Sequence, residues 1–83
     1  MTTEQTIRGW LEDGKQNKSL THVIIVCDTF DWEDYPVYVS SSDDVRKIYG
    51  KYDGRNMQKV MEVYSLNKNL EEQLAETRAF HFD

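Results

Sequence analysis

Residues 23–27, VIIVC, form an unbroken apolar run in a chain of which only 39% of residues are hydrophobic. A strand with one wet face alternates apolar and polar positions, so an uninterrupted run predicts a central strand buried on both faces. Such a strand needs neighbours along both edges and covering elements above and below. Nine residues after Cys27, Pro36 opens the alternating segment PVYV, in which Val37 and Val39 share one face while Tyr38 takes the other. Proline lacks an amide donor, which confines this segment to a strand start or a sheet edge. The two segments flank the acidic aromatic connector DTFDWED and read as an antiparallel hairpin over residues 21–29 and 36–41.

The flanking segments supply the covering elements. Thr2 and Gln5 have capping-box spacing, Ile7, Trp10 and Leu11 follow at i, i+3, i+4, and Gly14 offers a stop, so a helix is expected over 3–13. SSSDD offers several N-caps to a second helix over 43–52, with Val45, Ile48, Tyr49 and Tyr52 on one face and Asp53 and Gly54 closing it. In MQKVMEVYSL, residues 57–66, Met57, Val60, Met61 and Tyr64 also fit a helix. The Val and Tyr content and the short span between the turn DGRN and the cap Asn69/Glu72 favour a strand. Leu70, Leu74 and Thr77 or Arg78 mark a last helix, with Glu71 and Glu72 in its first turn where the dipole favours acids. The tail RAFHFD alternates and reads as a terminal strand or as an arm onto a neighbouring subunit. The expectation is one α+β domain over 1–83 in the order α-β-β-α-β-α. Its small antiparallel sheet has three strands, a hairpin plus one, packed with two or three short helices.

A chain of 83 residues buries only about 60–65% of the surface its unfolded form exposes, yet this one carries ten aromatics. Self-association, most simply a symmetric dimer, is therefore expected. The net charge of −5 argues against direct nucleic-acid binding or an anionic membrane surface, which select clustered Lys and Arg. Charge is uneven: residues 28–34 hold four acids and no base, whereas 43–59 hold five bases against three acids. Cys27 is alone, so no intramolecular disulfide forms, which fits a reducing cytoplasm. The segment MTTEQTIRGW lacks a signal-peptide core, and no apolar window reaches the roughly 18 residues of a membrane span. A cytoplasmic protein follows as the expectation.

Asp28, Asp31, Glu33 and Asp34 invite a cation reading, but D-x-x-D-x-E-D lacks the glycine of a calcium loop, and an exposed acidic hairpin tip accounts for it. His22 and His81, with one cysteine, do not make a zinc site of recognised spacing. Cys27 within an apolar strand reads as a small buried side chain. No catalytic residue, metal site or cofactor is expected. The set with functional promise is Trp32, Tyr35 and Tyr38 with Arg46, Arg55, Asn56 and Lys59. Aromatic faces sandwich a nucleobase, guanidinium and amide groups hold a phosphate, and the Gly54 turn adds backbone amides. Against this stands the plain reading, with the tyrosines packed on the sheet and the basic residues solvated on the second helix.

The blocks THVIIVCDTFDWEDYPVYV, YDGRNMQKVMEVYSL and LEEQLAETRAFHF resemble a family of small, largely uncharacterised proteins encoded by tailed bacteriophages and prophages. The similarity covers about Leu20 to Phe82 and brings no catalytic residues with it. It implies an accessory protein made in the bacterial host cytoplasm. Two occupations fit such a protein. One is an oligomeric sponge for a nucleotide-derived immune signal, such as a cyclic nucleotide, using the aromatic and basic set in pockets between subunits. The alternative is an inhibitor whose acidic Asp31, Glu33 and Asp34 occupy a basic groove on a host nucleic-acid-handling or defence enzyme.

Overall fold

The apolar run becomes the middle strand of three. The computed structural model describes residues 3–76 and 78–82. Its elements are α1 (Glu4–Lys15), β1 (Leu20–Asp28), β2 (Glu33–Ser40), α2 (Val45–Tyr52), β3 (Gln58–Ser65) and α3 (Leu70–Leu74). The strands lie in the order β2-β1-β3, antiparallel throughout. The expected α+β class and element order are therefore what the chain adopts.

Both faces of β1 are buried. Val23 and Ile25 pack with Ile7, Leu11, Tyr64 and Leu66 beneath α1 and α3, while Ile24 and Val26 pack with Val39, Val45, Val60 and Val63 beneath α2. Each of these four β1 side chains contributes roughly 1.5–3 kcal/mol by leaving water. A bulge interrupts the second ladder: Ile25 faces Glu62 but Val26 faces Val60, leaving Met61 as the extra residue. Val60 and Val63, three apart, consequently join the same core cluster.

Several boundaries move from their expected places. Thr3 rather than Thr2 caps α1, its side chain accepting from the Thr6 amide, and Thr2 lies outside the described residues. Gly14 does not stop this helix, which runs on to Lys15. A Cβ there would stand 3.1 Å from Val23 Cγ2, 3.2 Å from Tyr38 Cε1 and 3.3 Å from Leu66 Cδ1, so glycine serves the close approach of helix to sheet. β2 begins at Glu33, and Pro36 sits inside this edge strand opposite Ile25. α2 starts at Val45 behind its cap Asp44. α3 ends at Leu74, and Thr77 lies outside the described residues.

The outer edge of β3 is closed at Val63 and Ser65. Its Val63 amide donates to the Ala79 carbonyl at 2.8 Å, and the His81 amide donates to the Val63 carbonyl at 2.9 Å. The tail thus folds back on its own chain as a short parallel bridge. One turn further, the buried Gln73 side chain stands in for a fourth strand. Its Oε1 accepts from the Ser65 amide at 2.8 Å and its Nε2 donates to the Ser65 carbonyl at 2.9 Å. Phe82 then lies edge-on to Tyr49 at 5.3 Å, with the Arg46 guanidinium 4.5 Å from its ring centre.

Candidate functional site

The end of the sheet where β1 turns into β2 concentrates the chain's unusual chemistry. Asp28 organises this turn: its Oδ1 accepts from the Phe30 amide at 2.8 Å and the Asp31 amide at 3.4 Å, and its carbonyl accepts from the Trp32 amide at 2.6 Å. Thr29 fastens the turn to the one preceding β3, with its amide and hydroxyl each donating to the Met57 carbonyl at 2.7 Å. Among the described residues, the non-glycine positions with positive φ are Trp32 (59°), Asn56 (52°) and Met57 (61°), all in these two turns. The left-handed conformation costs an L-residue roughly 1–2 kcal/mol, and bulky side chains seldom adopt it. Backbone held this way clusters at functional sites.

Among the described residues, the same turns carry the most exposed large apolar side chains: Phe30 is 71% exposed, Trp32 65% and Met57 59%. Asp31 and Glu33 are exposed beside them, and Asp28 and Asp34 are half-buried. Trp32 also walls an open cleft of about 250 Å³, shared with Cys27, Asp34, Lys59 and Met61. Asp34 and Lys59 both pair with Cys27, from β2 and β3 respectively, so they flank it on one face, roughly 10 Å apart across two strand spacings. Burial pushes the Cys27 thiol up, and its hydrogen bond to the Asp34 carboxylate pushes it further, so it stays a neutral donor and a poor nucleophile.

Trp32 and Lys59 meet at this cleft, but the other five members of the aromatic and basic set lie elsewhere. Tyr38 packs beside Gly14, its hydroxyl donating to the Trp10 carbonyl at 3.3 Å. Tyr35 belongs to the opposite core cluster, where its hydroxyl accepts from Gln58 Nε2. Arg46 projects from α2 over Phe82, and Arg55 and Asn56 are exposed in the turn before β3. On one chain, then, the set does not converge on a single pocket. Asp31, Glu33 and Asp34 do share one end, and Asp34 lines the cleft. Sequence reasoning missed Phe30, Met57 and Met61 as members of this surface. A large apolar residue inside the acidic connector DTFDWED was the available signal for Phe30.

At the other end of β1 a notch is lined by Lys15, Asn17, Lys18, Leu20, Leu66 and Asn67. Among the described residues no group of three His, Cys, Asp or Glu side chains is placed to hold a metal ion, and no helix is long and apolar enough to cross a membrane. No protein-family model matches the chain, and neither the curated proteins nor the solved structures give a match.

Proposed function

We propose that the protein is a non-enzymatic binding module that docks its acidic aromatic end on a basic surface of another protein. The observation that carries this reading is the meeting of Phe30, Trp32 and Met57, all largely exposed on two turns that include left-handed backbone, with the exposed Asp31 and Glu33 and the half-buried Asp28 and Asp34 at the adjoining strand ends. Docking surfaces are built this way, with an apolar aromatic centre inside a charged rim. A core-forming role does not account for three large side chains in water, nor for the backbone cost of holding two of them there. In the phage setting that the sequence resemblance implies, the partner is a host nucleic-acid-handling or defence enzyme, whose basic groove complements this rim.

The nucleotide-sponge reading is favoured by one feature, the juxtaposition of Trp32 and Lys59 at the cleft. Electrostatics oppose it on a single chain, because Asp34 lines the same cleft and Asp28, Asp31 and Glu33 stand at the same end of the sheet, where they repel an anion. A second copy supplying Arg46 or Tyr35 would be needed to complete the pocket. Sedimentation as a monomer at about 10 μM, a concentration at which a stable dimer persists, removes the sponge.

The docking reading is tested by affinity capture from bacterial cytosol, comparing the wild-type protein with a Phe30→Ser/Asp31→Asn/Glu33→Gln variant and a Lys15→Ser/Lys18→Ser variant. The expected result is a basic protein held at about 0.1 M salt and released near 0.5 M, lost by the first variant and kept by the second. Capture that survives the tip substitutions overturns the reading.

A further inference from the structure

We propose that the cleft beside Cys27 is a guanidinium site: it receives an arginine side chain of the docking partner, the alkyl stem against Met61, the planar head on the Trp32 indole and its charge on the Asp34 carboxylate. This rests on the docking reading and names the side chain that anchors it. The cleft offers three things in one place: an apolar floor and wall, an exposed aromatic face, and a half-buried carboxylate. Arginine alone among the side chains uses all three, because its head is planar, weakly hydrated, stacks on indole and pairs with carboxylates through two parallel hydrogen bonds.

Other occupants leave something unsatisfied. A neutral aromatic ring would displace water from Asp34 and leave its charge with the Cys27 thiol as its partner within the cleft. A lysine ammonium is a strongly hydrated point charge that gains less from the apolar wall. An anion meets Asp34 directly, with Asp28, Asp31 and Glu33 at the same end of the sheet. Lys59 stands on the far flank of Cys27 and opposes any cation, although its exposed, flexible stem lets the ammonium turn to solvent. That opposition provides a diagnostic sign: removing Lys59 must strengthen a cationic occupant and weaken an anionic one.

The test is titration of isotope-labelled protein, followed by amide and indole NMR shifts, with N-acetyl-arginine methylamide as probe. The lysine and tyrosine methylamides and guanosine monophosphate serve as comparators. Saturable millimolar binding of the arginine probe is expected, with shifts centred on Cys27, the Trp32 indole, Asp34, Lys59 and Met61. Asp34→Asn should weaken it about tenfold and Trp32→Leu about threefold, whereas Lys59→Ala should tighten it about threefold. Lys59→Ala is exposed and keeps the fold, so its sign is readable whatever the other variants do. Equal or tighter binding of the tyrosine probe or the nucleotide, weaker arginine binding in Lys59→Ala, or no saturable shift at the cleft each overturns the proposal. Tip-dependent capture of a partner alongside any of those outcomes leaves docking in place and removes only the arginine anchor.

Discussion

Replacing Gln73 with leucine tests how the sheet is closed. Gln73 is only 2% exposed, and its amide makes three hydrogen bonds: from the Ser65 amide at 2.8 Å, to the Ser65 carbonyl at 2.9 Å and to the Asn69 carbonyl at 3.2 Å. Leucine keeps most of the volume and removes all three. Ser65 then loses the bond its amide donates to Gln73 and the 2.9 Å bond to its carbonyl, which still accepts from the Lys68 amide at 3.4 Å, while itself remaining buried. Each of the three lost hydrogen bonds is worth about 1 kcal/mol net, so we expect a loss of about 3 kcal/mol. At the roughly 4–8 °C per kcal/mol of a domain this size, Tm falls by about 15 °C. Thermal and urea unfolding followed by circular dichroism measure both quantities. As a scale, Asn69→Ala removes only the α3 cap on the Glu72 amide and should cost about 1 kcal/mol. A Gln73→Leu loss no larger than that of Asn69→Ala would refute the idea that this amide acts as a surrogate strand.

Three other outcomes follow from the packing. Ile25→Asp places a carboxylate at a central position of the sheet that is 1% exposed, and no folded protein should be recovered by heteronuclear NMR. Burial raises the Tyr64 hydroxyl above the ordinary tyrosine range, helped by its hydrogen bond to Glu62. The folded state therefore favours the neutral phenol: this stability is complete below the unfolded value of about 10 and is lost as pH rises beyond it. Urea unfolding should show the wild-type protein losing stability between about pH 9 and 11 more steeply than Tyr64→Phe, and parallel profiles would contradict this. Removing residues 79–83 strips the partners of Val63 and the Phe82 ring from Tyr49. Tm should drop by about 10 °C, a loss of about 2 kcal/mol, with no change in sedimented mass, whereas a shift to lower mass would identify the tail as an exchanged arm.

What was legible in the sequence follows from which signals are local. VIIVC announced a two-sided central strand because only one position in a small sheet buries both faces, and Val23 to Val26 occupy it. The helix-like spacing in MQKVMEVYSL has a concrete origin in the bulge at Met61, which puts Val60 and Val63 on one face three residues apart and mimics a helical period within a strand. Gly14 read as a stop because its contacts, Val23, Tyr38 and Leu66, come from three other places in the chain. The divergence of Tyr35 and Tyr38 was readable in principle: residues three apart on a strand point to opposite faces. Grouping them by residue type ignored that period. The acidic half of the functional end was visible as DTFDWED, but its other half was not. Met57 reaches Thr29 through hydrogen bonds spanning 28 residues, and no local pattern encodes such a contact.

The central claim is that recognition happens at the end of the sheet bearing Phe30, Trp32 and Met57, and the NMR footprint of a captured partner tests it most directly. Broadening or shifts confined to residues 27–34 and 55–61, fading as salt screens the acidic rim, is the result the account predicts. A footprint at the opposite end, around Lys15 to Leu20 and Leu66 to Asn69, with the Trp32 indole unmoved, would contradict it.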